Sequence, residues 1–171
     1  MTWPTDASGF TLQSVSAITG TVPLTETQGL LALAAQNYEH AGDILNRRRQ
    51  YAQAASAWNT SCVMWSRANE ALGGIRACTH VVTLSLELVP ELLNDPELPN
   101  TYVTLMMLYE HTGDECRARA DSVCANENYS KAVESGNGAL ALALTSPEQQ
   151  VLISERINTL QVKLSGGMAA P

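Results

Sequence analysis

The chain has 171 residues, enough for one domain with a real core or for a compact repeat array. Hydrophobic residues make up 45% and charged residues 16%, a globular balance, and the 5% aromatic share leaves Ala and Leu to carry the apolar content, which favours helices. The formal net charge of −7 disfavours duplex nucleic acid as a partner, because such binders present a basic face.

Residues 1 to 25 are rich in Ser, Thr, Gly and Pro without helical spacing, so a flexible N-terminal arm is predicted there, with Trp3 and Phe10 as hooks able to pin it to the body. The first residues show neither a basic n-region nor an apolar h-region, and no run of about 18 apolar residues occurs. A cytoplasmic chain with no membrane span is therefore expected, and with it reduced thiols at Cys62, Cys78, Cys116 and Cys124.

From Thr27 the pattern becomes helical. Leu30, Leu31, Ala34, Tyr38, Ala41 and Leu45 recur at three- and four-residue steps. Arg47, Arg48 and Arg49 follow at the expected turn, where they complement the negative end of a helix dipole. A second helix is predicted over 49–65, with Ala54, Trp58 and Cys62 on one face. A third segment runs over 67–93, with a break or bend at Gly73-Gly74. VVTLSLELV at 81–89 alternates weakly but has no partner run, so it is read as helical. The stretch NDPELPN at 94–100 marks a connection. A helix over 101–111, a tight turn at Thr112-Gly113-Asp114, and a helix to Val133 come next, followed by a kink at Gly136-Asn137-Gly138. The last helix has Ser146 as its cap, Pro147 and Glu148 in its first turn, and Gly166-Gly167 as its stop. The fold class is therefore all-α, with a helical domain over 26–165 and a loose tail over 166–171.

YEHAGDILNRRRQYAQAASAW, residues 38–58, shows why a repeat is suspected. Helix pairs with short links need small residues where the axes approach and bulky ones where gaps remain. Tyr38, Ala41-Gly42, Leu45, Ala54, Trp58 and Ser61 follow that rule. The order resembles the 34-residue tetratricopeptide unit, although Ser66 stands where that unit closes with Pro. A second copy is aligned as Tyr102, Leu105, Met106, Tyr109, Gly113, Ala118 and Ala125, with Met106 in place of a small residue and Ser122 in place of the helix-B aromatic. Tyr38 and Tyr102 lie 64 apart where two full units need 68, and Leu72-Gly73 marks a degenerate middle copy. The resemblance implies about three antiparallel helix pairs plus a C-terminal capping helix.

Enzymatic signatures are sparse. No C-x-x-C, H-E-x-x-H, Walker loop or G-x-S-x-G occurs, so neither catalytic nor metal-binding residues are assigned and no cofactor is expected. The resemblance implies instead a concave groove lined by the first helix of each pair. Carried over by register, its residues are Gln36, Glu39 and Asp43 in the first unit and Val103, Met107 and Glu110 in the third. Acids at those positions would repel a terminal carboxylate. The implied partner is thus an apolar peptide or amphipathic helix with some basic character, and the implied role is a non-enzymatic adaptor, scaffold or chaperone-like subunit. The alternatives are an enzymatic or metal-dependent bundle using the cysteines, and a purely structural subunit.

Overall fold

The computed structural model describes residues 24–166, and every regular element among them is helical. In chain order these are α1 (Leu24–Arg47), α2 (Tyr51–Arg67), α3 (Ala71–Thr83), a π turn (Leu84–Leu88), a 3-10 turn (Pro90–Asn94), α4 (Leu98–Ala118), α5 (Ser122–Ala141) and α6 (Pro147–Gly166). No helix among the described residues is long and apolar enough to cross a membrane. The expected arm and its hooks Trp3 and Phe10 lie outside the described residues, but Leu24 and Thr25 at its end already belong to α1.

Two antiparallel pairs, α1/α2 and α4/α5, carry the architecture. The single helix α3 lies between them and packs on both α2 and α4, while α6 closes the far side of α5. The middle copy expected from the sequence has no second helix of its own, because residues 84–97 form short turns and a loop instead. Two threads tie the layers together. The Ser61 hydroxyl donates to the Ala35 carbonyl, and the Thr101 hydroxyl donates to Asn59 Oδ1 at 2.7 Å, joining α4 to α2.

Three of the tight turns share one device. Gln50, Glu70 and Asp121 donate their amides to the carbonyls five residues back, of Leu45, Trp65 and Cys116. Arg49, Asn69 and Ala120, one position earlier, sit at φ values of 59°, 61° and 59°. These are Schellman-type ends, which satisfy helix carbonyls at the cost of a left-handed residue. Glycine is the usual choice there, and none of the three is glycine.

The glycines are used elsewhere, which corrects three sequence expectations. Thr112-Gly113-Asp114 is no turn, because α4 runs on to Ala118; Gly136-Asn137-Gly138 lies inside α5; and Gly73-Gly74 lies inside α3. Each of these glycines lets another side chain approach a helix backbone. A Cβ would come within 2.5 Å of Trp65 at Gly73, 2.7 Å of Leu108 at Gly74 and 2.4 Å of Tyr102 at Gly138. At the last helix the expectation holds: Ser146 Oγ accepts the Gln149 amide, and Gln149 Oε1 accepts the Ser146 amide, a reciprocal capping box.

The thiols are also corrected. Cys62 joins Cys78, tying α2 to α3, and Cys116 joins Cys124 across the α4/α5 turn. The Cα separations of 5.1 and 5.7 Å suit a disulfide. Cys116 and Cys124, expected on one helix, lie on two because the turn falls between them.

Candidate functional site

The structure resets the repeat. YEHAGD at 38–43 and YEHTGD at 109–114 occupy equivalent places at the same depth in α1 and α4, so the internal offset is 71 residues and Tyr38 matches Tyr109, not Tyr102. The two registers differ by seven residues, two helical turns, so Tyr102 and Tyr109 satisfy the same periodicity on one helix. The second helix of each pair decides between them. A Cβ at Gly42 would meet Trp58 at 2.4 Å, and one at Gly113 would meet Tyr129 at 2.6 Å, each sixteen residues further on. With that register Ala54 matches Ala125, both buried, and the left-handed Arg49 matches Ala120. The missing helix-B aromatic is therefore Tyr129; Ser122 does not stand in its place. The repeated hexapeptide was the signal that could have found this.

Each motif performs the same three tasks. Its glycine receives the aromatic ring of the next helix. Its aspartate holds the polar tip of that ring: Asp43 Oδ1 accepts Trp58 Nε1–H at 3.2 Å, and Asp114 Oδ1 accepts the Tyr129 hydroxyl at 2.6 Å. Its glutamate reaches a cation two helices on. Glu39 accepts Arg76 Nη2 at 2.8 Å and Trp65 Nε1–H at 3.3 Å, tying α1 to α3. Glu110 accepts Arg156 Nε and, at 2.9 Å, Lys163 Nζ, tying α4 to α6.

The electrostatics follow from these partners. The Arg76 hydrogen bond holds the Glu39 carboxyl below its usual range against the opposing effect of burial. Burial would raise Asp114, but the Lys163 and Tyr129 hydrogen bonds outweigh it and bring Asp114 down. Burial would likewise lower Lys163, and the Asp114 and Glu110 carboxylates outweigh it and bring Lys163 up. Tyr129 is pushed up by burial and then by Asp114.

Of the six residues predicted to line a groove, Gln36 is exposed on α1, at the position equivalent to Met107 on α4. Glu39, Asp43 and Glu110 do not project freely. The first two bind α3 and α2, and Glu110 is 4% exposed beneath α6, because a carboxylate facing two helix-borne cations is drawn into the interface. Val103 and Met107 do line an open groove, of about 360 Å³, between α4 and α6. Met106 and Ile153 are buried at its base, Met107 and Leu152 are exposed along it, and Arg156 with its Glu110 partner adjoins it. Sequence reasoning missed Leu152 and Ile153, since α6 was read only as a cap.

Among the described residues no three His, Cys, Asp or Glu side chains converge in a way that could hold a metal ion. Disulfide bonding occupies the four sulfurs on which a cysteine-based site would depend. No family model matches the chain, and no curated protein or solved structure is significantly similar to it.

Proposed function

We propose that the chain is a non-enzymatic adaptor or chaperone-like subunit, built on tetratricopeptide-like helix pairs, that holds an apolar peptide or amphipathic helix of another protein in the α4–α6 groove. The observation that carries this reading is the exposure of Met107 and Leu152 over a buried base of Met106 and Ile153. Unbranched and polarizable Met side chains adapt to varied apolar partners, and exposed apolar surface in a concave setting favours binding. The small–large–small packing of Ala54, Trp58 and Ser61, repeated as Ala125, Tyr129 and Ala132, supports the repeat assignment. Glu155 at the groove and the net charge of −7 favour a partner with basic residues flanking its apolar stripe.

The cytoplasmic residence expected from the sequence sits poorly with two disulfides, which favour an oxidising compartment. Alkylation of the protein taken from its native source, with and without prior reduction, separates the two. For the groove, affinity capture should be compared between the natural chain and a Met107→Asp, Leu152→Asp variant of unchanged circular dichroism. Loss of the same partner from the variant, with retention by Gln36→Asp, is expected. Equal capture by all three chains removes the groove as the recognition site.

A further inference from the structure

The two disulfides sit in opposite surroundings. Cys62 and Cys78 are both fully buried, packed with Trp65, Ala77, Leu105 and Leu108, and no polar side chain among the described residues hydrogen-bonds either sulfur. Cys116 is also fully buried, but its partner Cys124 is partly exposed in the first turn of α5. Both of these sulfurs have a donor. Arg119 Nη2 donates to Cys116 Sγ at 3.6 Å, and Asn128 Nδ2 donates to Cys124 Sγ at 3.5 Å. The Asn128 group is shared with the Cys124 carbonyl at 2.9 Å, and the Asp121 carboxylate accepts the Cys124 amide. The cation therefore lies on the Cys116 side and the anion on the Cys124 side. Burial opposes a thiolate at Cys116, and the guanidinium offsets that cost, which no group does for Cys62 or Cys78.

The Cys116–Cys124 bond is also dispensable to its turn. In the 71-residue register Leu45 and Gln53 stand at the places of Cys116 and Cys124. The α1/α2 turn closes without sulfur: Gln50 donates to the Leu45 carbonyl and Arg49 is left-handed, just as Asp121 donates to the Cys116 carbonyl and Ala120 is left-handed. Further along the pair, Tyr129 lies against Gly113 and donates to Asp114, which holds α4 to α5 independently of the bond. Opening Cys116–Cys124 thus leaves the helix pair in place.

We propose that Cys116–Cys124 is a thiol-exchange site, at which a low-molecular-weight thiol forms a mixed disulfide on Cys124 while Cys62–Cys78 stays closed. The incoming thiolate attacks Cys124 Sγ and a new sulfur–sulfur bond forms there. The Cys116–Cys124 bond breaks, and its electron pair leaves on Cys116 beside Arg119. Return attack by the Cys116 thiolate on Cys124 expels the small thiol and restores the original bond. The test exposes the full oxidised chain to glutathione at graded ratios of thiol to disulfide, quenches with acid and locates each modification by peptide mass spectrometry. Glutathione is expected on Cys124 and not on Cys116, at ratios that leave Cys62–Cys78 intact. Cys116→Ser, which cannot return the attack, should accumulate the Cys124 adduct. Arg119→Gln, altered at an exposed position, should keep its circular dichroism and open about three- to tenfold more slowly, because the breaking bond carries part of the charge that the guanidinium stabilises. Simultaneous opening of both disulfides, glutathione on Cys116, no adduct in Cys116→Ser, or an unchanged rate in Arg119→Gln would each overturn the proposal. So would an oxidised chain in which Cys116 and Cys124 stay unbonded.

Discussion

The first unit, α1 to α3, and the second, α4 to α6, solve one packing problem with unequal thoroughness. Glu39 leans on Arg76, whose side chain is 56% exposed, whereas Glu110 is buried against both Arg156 and Lys163. Asp43 steadies an indole, which stacks on His80 at 4.8 Å, while Asp114 binds a phenol and an ammonium together. The disulfides do not follow the duplication at all. Val133 stands where the register would repeat Cys62, and Leu45 where it would repeat Cys116. The positions shared by both units are those where two helix axes meet and one side chain must fit another. The cross-links are local additions, since a disulfide depends on the spacing and direction of one pair of Cβ atoms and not on the packing that the two units share.

The comparison can be broken most directly at the glutamates. Glu110→Ala leaves Arg156 and Lys163 without their shared partner and should cost about 3 kcal/mol, the lower end for breaking a buried pair because both cations keep some access to water. Glu39→Ala removes a more exposed pair and should cost about 1 kcal/mol or less. Urea unfolding of both variants at neutral pH checks the ratio; equal losses would mean that the two motifs are energetically alike.

The glycines test the opposite claim, that both units share one close contact. Gly42→Ala and Gly113→Ala each gain helix propensity but drive a Cβ into a ring held in the core, so each should lose about 1–3 kcal/mol net. A rise in Tm for either variant would show that its ring can step aside.

A smaller gain is expected at the turns. Ala120→Gly relieves a left-handed residue and should stabilise by about 0.5–1 kcal/mol, as should Arg49→Gly in the equivalent turn. Asn69→Gly should change little, because Asn tolerates that conformation. Thermal melts of the three variants rank them.

The smallest effect is on acid stability. Asp114 has a folded pKa below its ordinary 3.8, so its contribution is present above that value and is lost as pH falls through the folded one. Asp114→Asn should flatten the acid limb of the stability curve by less than about 1 kcal/mol, since the group is half exposed. Glu39 is lowered as well, so Glu39→Gln should flatten the same limb, starting nearer its ordinary 4.5. Chemical denaturation across the acidic range reads both, and an unchanged limb in the Asp114 variant would mean that Lys163 does not hold that carboxylate in solution.

Much of this could be read from residue order. Periodicity along Ala54, Trp58 and Ser61 fixes which face of α2 turns inward, whereas on α1 the expected stripe omitted the buried Ala35 and included Leu30 and Tyr38, which are exposed. The all-helical class and the Ser146 cap of α6 are local properties, and both stand in the structure, which adds the return contact from Gln149. Val103 and Met107 line the α4–α6 groove, although the register that pointed to them paired Tyr38 with Tyr102 rather than with Tyr109. Three things needed the tertiary structure. A glycine inside a helix and a glycine ending one look alike until the ring across from it is placed, so Gly113 and Gly138 were misread. Two turns of helix bring a chain back to nearly the same face, so the choice between Tyr102 and Tyr109 waited on Tyr129. The fate of Glu39, Asp43 and Glu110 rested on helices 15 to 53 residues away in sequence, because a carboxylate is a free recognition group or a packed strut according to which cation or donor faces it, and that is a property of the assembled helices.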